Sequence, residues 1–305
     1  MIKGRNCSLK YMLQEKWAEN IDILSDKPIY IIGGLYGNYQ SLMKIKELAN
    51  EEKENPLLIF NGDIHWFDVY EEDFLAIEND IESCIKLFGN VEYELLNKDS
   101  LFGCGCNYPE NVDESIVERS NNIHSMLKDN ITDEGILRNL KNRKFTICLK
   151  YLDKKIAITH GDEKNMAGWQ CSNENLKKFD RQKEIEHWLE DNNVDILATT
   201  HTCLPVLLSL GNKVVVNNGS AGMANVRDTT FGLITRIANT KHKDAIISQE
   251  VDGVFVELVK IDYDITEFIN WFDNVWTINS PASISYRNRI TNGTNISIED
   301  IVITK

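Results

Sequence analysis

Four side chains able to bind a divalent cation stand at the ends of apolar runs in this chain. "LLIFNGDIHWFD" carries Asp63 directly after a glycine, "CIKLFGNVEYE" supplies Asn90, "KIAITHGDE" supplies His160 and "DILATTHTCLP" supplies His201. The carboxyl ends of strands in an open sheet are where α/β proteins place their ligands, because the loops there converge on a crevice. A carboxylate, an amide oxygen and two neutral imidazoles form a donor set suited to zinc, manganese or iron. Taken singly, Gly62-Asp63 is more often a turn, and a histidine near a strand end is more often a satisfied structural residue. The ordered set, followed by "VVVNNGSAG" at Val214 to Gly222, points instead to a metal centre.

In this order the motifs resemble those of the calcineurin-like metallophosphoesterases: Asp-any-His-Gly, Gly-Asp, Gly-Asn-His-Asp/Glu, a lone Gly-His or similar, Gly-His-any-His and Asn-any-Gly-Ser. The match runs from about Pro28 to Ile261. The resemblance implies an α/β fold, a layered sandwich of two mixed β-sheets flanked by helices. It also implies a divalent transition metal (Mn, Fe or Zn), one or two ions, that activates water for in-line attack on phosphorus. Carried over by position, Asp63 is the bridging ligand, and Asn90, His160 and His201 complete the second ion's set. The first ion's own ligands are gone: Gly34-Leu35-Tyr36-Gly37 stands where Asp and His belong, and Cys203 in "THTC" replaces the last histidine. Val91 stands where the family has a proton-donating histidine, ahead of Glu92. Losses confined to one half of the site argue for remodelling to a one-ion or altered-ion centre, since decay would scatter them.

Several residues are candidates to fill the missing half. His65, two residues beyond Asp63, turns either toward the vacant position and the substrate or toward Asp68 as a hydrogen-bonded structural histidine. Tyr36 is a second catalytic candidate, its phenol presented to a phosphate or a metal and better suited to donating a hydrogen bond. Cys203 is a candidate metal ligand; with Cys104 and Cys106 of "GCGC" it forms either a soft thiolate site or a set of small buried hydrophobes. Arg119 and Asn121, in "VERSNNIH", are candidates to grip a phosphate oxygen or belong to a solvated helix face. Asn218, with Asn217 and Ser220, either reaches the substrate or shapes its own turn. Trp66 and Trp169 wall a pocket or fill core.

The elements that must position these groups are legible as β-rich runs: Pro28 to Ile32, Leu57 to Asn61, Phe145 to Tyr151, Lys155 to Thr159, Asp195 to Thr200, Lys213 to Asn217, Thr230 to Ala238 and Val254 to Ile261. Helical spacing is read at Tyr39 to Lys53, Tyr70 to Ser83, Asp113 to Lys128 and Asn173 to Asp191. Alternation first, then strand after strand, suggests a layered α/β sandwich. The expected organisation is an N-terminal extension over 1–27, a catalytic domain over 28–261 with an insertion at about 98–142, and a tail over 262–305 holding an amphipathic helix and a Ser/Asn-rich loop.

With 33 basic against 47 acidic residues, a net charge of −14 argues against a polynucleotide or an anionic membrane as main partner, because both reward clustered Lys and Arg. Seven cysteines is an odd count, and no secretory leader is read, so a cytoplasmic location is expected rather than a disulfide framework. No apolar run approaches the roughly 20 residues of a membrane span. The expected function is hydrolysis of a small phosphate mono- or diester, a nucleotide or phosphorylated metabolite. The alternative is a non-catalytic protein of the same fold retaining at most one structural ion.

Overall fold

The computed structural model of the protein describes residues 3–6, 8–97 and 100–304. In chain order the strands are β1 (Ile23–Ser25), β2 (Ile29–Ile32), β3 (Leu57–Asn61), β4 (Ile85–Leu87), β5 (Thr146–Tyr151), β6 (Lys154–Thr159), β7 (Ile196–Thr199), β8 (Pro205–Leu210), β9 (Lys213–Asn218), β10 (Gly232–Ala238), β11 (Ala245–Val251), β12 (Val254–Ile261) and β13 (Val302–Thr304). The helices are α1 (Tyr39–Glu51), α2 (Glu71–Asp80), α3 (Asn90–Leu95), α4 (Glu114–Asn130), α5 (Glu134–Leu140), α6 (Asn173–Leu176), α7 (Phe179–Asp191), α8 (Ile265–Val275) and α9 (Pro281–Asn292).

Two mixed sheets result. One runs β1-β5-β6-β7-β9-β8-β13 and the other β11-β12-β10-β2-β3-β4. In β2, Ile29 and Ile31 face the core between the sheets, whereas Tyr30 and Ile32 face the helical layer. Burial on both faces removes any polar alternation, which is why "IYII" is apolar throughout. The layered sandwich of two mixed sheets flanked by helices is the architecture expected from the residues. β2, β3 and β4 lie parallel in one sheet, as do β6, β7 and β9 in the other, so their carboxyl ends emerge together along one edge of the sandwich.

The differences are local. The helix expected over Asn173 to Asp191 breaks into α6 and α7, with Ser172 capping the first by accepting from Asn175 N. The Ser/Asn-rich segment expected as loop is largely helix α9, opened by Ser280 as N-cap and Pro281 in the first turn, a favoured start because proline there has no helical hydrogen bond to lose. The segment read as an insertion holds α4 and α5; its expected start at residue 98 lies outside the described residues, as do residues 1, 2 and 7 of the segment read as an N-terminal extension. β1 and β13 each add a short parallel edge strand, so both terminal segments are woven into the same sheet. No described helix is long and apolar enough to cross a membrane.

Candidate metal centre

β3 runs directly into the centre. After Asn61 the chain turns through Gly62 (φ +77°) and Asp63 (φ +51°). A Cβ on Gly62 would lie 2.3 Å from the Gly89 backbone nitrogen, so the β3 and β4 loops approach as closely as only glycine permits. Glu92 ties them together: its carboxylate accepts from the backbone N–H of Asp63 (3.0 Å), Ile64 (2.7 Å) and Gly89 (3.0 Å). Asn90 opens α3, and His160 and His201 follow β6 and β7.

One ligand atom from each of Asp63, His160 and His201 lies within 4.8 Å of the others, all buried. Their tautomers are set from behind. His160 Nδ1–H donates to the Asn61 carbonyl (2.7 Å), which leaves Nε2 bare, 3.3 Å from Asp63 Oδ2. His201 Nε2–H donates to the Cys106 carbonyl (3.0 Å), which leaves Nδ1 bare, 3.2 Å from His160 Nε2. Two imidazole lone pairs thus face one another beside a carboxylate. Asn90 Nδ2 donates to the Cys104 carbonyl (2.9 Å), and Asn90 Oδ1 is buried with no partner. An orphaned buried acceptor costs about 1–3 kcal/mol. A divalent cation accounts for the three clustered atoms, and Asn90, whose unpartnered oxygen needs a partner, lines the same cavity, so these residues fit the group. With no cation, burial opposes charge on His160 but the Asp63 carboxylate holds its pKa above the ordinary value. His201 is driven down to about 3 by burial and by the neighbouring His160.

At the turn that the resemblance aligns with the first ion's ligands, side chains pack against one another. The Tyr36 hydroxyl lies 2.7 Å from Cys203 Sγ, and a Cβ on Gly34 would sit 2.8 Å from the Tyr36 ring. The ring therefore occupies the space that an aspartate side chain in place of Gly34 would need. Burial, then the neighbouring Cys203 and Asp63, raise the phenol pKa well above its ordinary value, so Tyr36 is a neutral hydrogen-bonding group. Tyr36, Asp63 and Cys203 all hold left-handed backbone conformations, with φ of 55°, 51° and 59°. Such strain in non-glycine residues concentrates at functional sites. Among the described residues, no other group of three or more carboxylate, thiol or imidazole donors converges.

Asp63, Asn90 and His201 border a cavity of about 40 Å³ walled by Tyr36, Trp66, Tyr108, Trp169 and Tyr286. Since one water requires about 10–15 Å³ on this measure, there is room for a few waters or a phosphoryl head, with ester groups outside. Tyr108 comes from the insertion and Tyr286 from α9. Both expected tryptophans stand in the wall, and Trp66 Nε1 is buried with no partner.

The remaining sequence candidates lie elsewhere. His65 is fully buried and stacked on Phe74, with Nδ1 2.6 Å from Asp68 Oδ2 and Nε2 3.1 Å from Glu78 Oε1. Both ring nitrogens are committed, and it does not line the cavity. Arg119 donates to Ser285 Oγ of α9 (2.7 Å). Asn121 accepts from Cys104 N and donates to the Lys3 carbonyl. Asn218 donates to the Gly33 and Leu233 carbonyls and accepts from Thr200 Oγ1. Each is committed to holding chain segments together, so none reaches the cavity. The contributions sequence reasoning missed are the Cys104 and Cys106 carbonyls, which orient Asn90 and His201, and the aromatic walls Tyr108 and Tyr286. A backbone carbonyl has no residue signature; the only signal was the placement of "GCGC" in the segment read as an insertion.

A family model described as calcineurin-like phosphoesterase matches residues 27–205, more than half of the 305 residues. Among solved structures, hypothetical protein PH1004 from Pyrococcus horikoshii OT3 is 14% identical with a TM-score of 0.59, covering 88% of this chain and 99% of that one. A metallophosphoesterase from Sphaerobacter thermophilus is 13% identical with a TM-score of 0.55, covering 88% of this chain and 100% of that one. At these identities the likeness is one of fold. No curated protein matches the chain. The matched span includes Asp63, Asn90, His160, His201 and the altered Gly34 to Gly37 turn, and the chain belongs to the calcineurin-like phosphoesterase family.

Proposed function

We propose that the protein is a phosphoesterase that works with one divalent cation, Mn, Fe or Zn, held by Asp63, Asn90, His160 and His201, and hydrolyses a small phosphate mono- or diester. The observation that carries this reading is the convergence of two bare imidazole nitrogens and a carboxylate within 4.8 Å of one another, beside a cavity that Asn90, its amide oxygen unpartnered, also lines. A cation bound there supplies a Lewis acid toward phosphoryl oxygen and lowers the pKa of water. The protein's own part is to fix both imidazole tautomers through the Asn61 and Cys106 carbonyls, to exclude bulk water with aromatic walls, and to offer Tyr36 as a neutral donor. With His65 committed to two carboxylates, no imidazole is positioned to protonate a leaving group. A general acid is worth roughly 10²- to 10⁴-fold, so esters with good leaving groups are expected to react fastest. The net charge of −14 supports a small substrate over a polynucleotide.

A second reading, a non-catalytic protein that keeps one structural ion, is favoured by the Tyr36–Cys203 pair in the first ion's place and by the small cavity. Elemental analysis of protein purified without chelator, followed by assays on p-nitrophenyl esters, separates the two. One equivalent of metal, lost in His201→Ala, together with turnover supports the enzyme. One equivalent with no turnover of any ester supports the structural ion, and no metal uptake at all overturns both.

A further inference from the structure

Behind one wall of the cavity stands an arginine whose charge is unpaired. Arg289 comes from the last turn of α9, outside residues 27–205 matched by the family model. Its Nη2 donates to the Cys203 carbonyl (2.6 Å) and to Asn225 Oδ1 (3.4 Å), and its Nε donates to the Ala224 carbonyl (2.9 Å). All three partners are neutral oxygens, so the guanidinium, protonated at any working pH, keeps its full charge. The buried arginines differ: Arg143, Arg181 and Arg236 each meet a carboxylate at 2.6 Å. Among the described residues no carboxylate pairs with Arg289.

That charge reaches the cavity. Cys203, whose carbonyl Arg289 holds, lines the cavity together with Tyr36, and none of the lining residues is Lys or Arg. Burial raises the pKa of Tyr36, and the positive field of Arg289 opposes it. Tyr36 and Cys203 are also the positions that the resemblance aligns with the first ion's ligands. A fixed cation therefore lies on the side of the cavity where the residues to bind a second metal ion are missing.

We propose that Arg289 is a positioning residue for an anionic substrate: from behind Tyr36 and Cys203 its charge draws a phosphoryl group to the cation site and holds it there. The inference rests on the phosphoesterase reading and adds a residue to that same site. Arg289 acts through space, touching neither ion nor substrate, and stands in electrostatically for a second divalent cation. Because α9 carries the charge, the site attracts anions only while that helix is docked.

The same side chain clamps α9 to the loops at Cys203 and at Ala224 to Asn225, and the experiment separates charge from clamp. Inorganic phosphate is titrated by calorimetry into the Mn²⁺-loaded full chain and into three variants. Arg289→Lys keeps the charge and gives up the guanidinium fork. Arg289→Gln and Arg289→Met are two neutral replacements, one retaining an amide donor and the other an apolar stem. Both neutral variants are expected to weaken phosphate binding by about 10- to 100-fold, within the span by which a neighbouring charge shifts an ionisation. Arg289→Lys is expected to recover most of that loss, with Mn²⁺ stoichiometry and circular dichroism unchanged in all three. An equal loss in Arg289→Lys and the neutral variants makes Arg289 a clamp and overturns the proposal. Unaltered phosphate affinity in either neutral variant overturns it too, as does wild-type protein that binds no phosphate. If phosphate binds with the expected charge dependence while no p-nitrophenyl ester turns over, the hydrolase reading fails and the role of Arg289 in holding the anion stands.

Discussion

Tyr36 and Cys203 stand at the positions that the family resemblance aligns with two metal ligands, and their hydroxyl and thiol lie 2.7 Å apart. Restoring the second ion therefore requires removing both together. In Gly34→Asp, Tyr36→His, Cys203→His, metal content is expected to rise from one to two equivalents by elemental analysis. Gly34→Asp alone is expected to destabilise by about 1–3 kcal/mol in denaturant unfolding, because the Tyr36 ring lies 2.8 Å from where its Cβ must go and overpacking costs that much. His124 is a second residue-scale case. It lies buried against the Val91 carbonyl (3.1 Å), and burial lowers its pKa to about 4. A neutral buried histidine lets the unfolded chain bind the proton first. Its stabilisation is thus complete above about pH 6.5 and declines as pH falls toward 4, by up to roughly 3 kcal/mol. His124→Gln is expected to flatten this part of the stability–pH curve, read by urea unfolding between pH 7.5 and 4.5. The candidate metal ligands were legible in sequence because each is a distinctive type at a strand end. His124 was not, because nothing local distinguishes a buried helical histidine from an exposed one.

At the scale of elements, the loop from Gly103 to Cys106 acts through backbone. It lends two carbonyls to orient Asn90 and His201, and Asn121 of α4 anchors it by accepting from Cys104 N (3.1 Å). Partners behind metal ligands typically change affinity by 10- to 100-fold. Asn121→Ala is accordingly expected to weaken Mn²⁺ binding about 10-fold by calorimetry, although Asn121 touches neither ion nor substrate. From sequence this asparagine reads as a phosphate ligand or a solvated side chain; its position on a helix facing a glycine-rich loop decides otherwise. The central strands were legible as unbroken apolar runs because both faces are buried. Edge strands β1 and β13 were not, since three residues acquire strand geometry only from the neighbour they pair with. Helix α9 escaped for a related reason: it buries only Ala282 and Ile290, too few to mark a helical stripe, although Ser280-Pro281 is a recognisable start.

Across the whole molecule, the donors at 63, 90, 160 and 201 come from both sheets, and the enclosing residues include Tyr108 from the segment read as an insertion and Tyr286 from the C-terminal helix α9. The layered architecture was readable from alternation of runs, whereas the closure of insertion and tail over the site depends on long-range packing that no local pattern encodes. Such a centre exists only when nearly the entire chain is folded. A cation that binds the native state alone stabilises it by about 4 kcal/mol at a free concentration 1,000 times its dissociation constant. Mn²⁺-loaded protein is expected to unfold several degrees above protein stripped with chelator, by calorimetric scan, and His160→Ala to abolish the difference. A cation held by donors gathered from both sheets would couple trace-element supply to protein lifetime. In a cell short of the metal, proteases would meet the unfolded chain more often, and abundance would fall along with any activity.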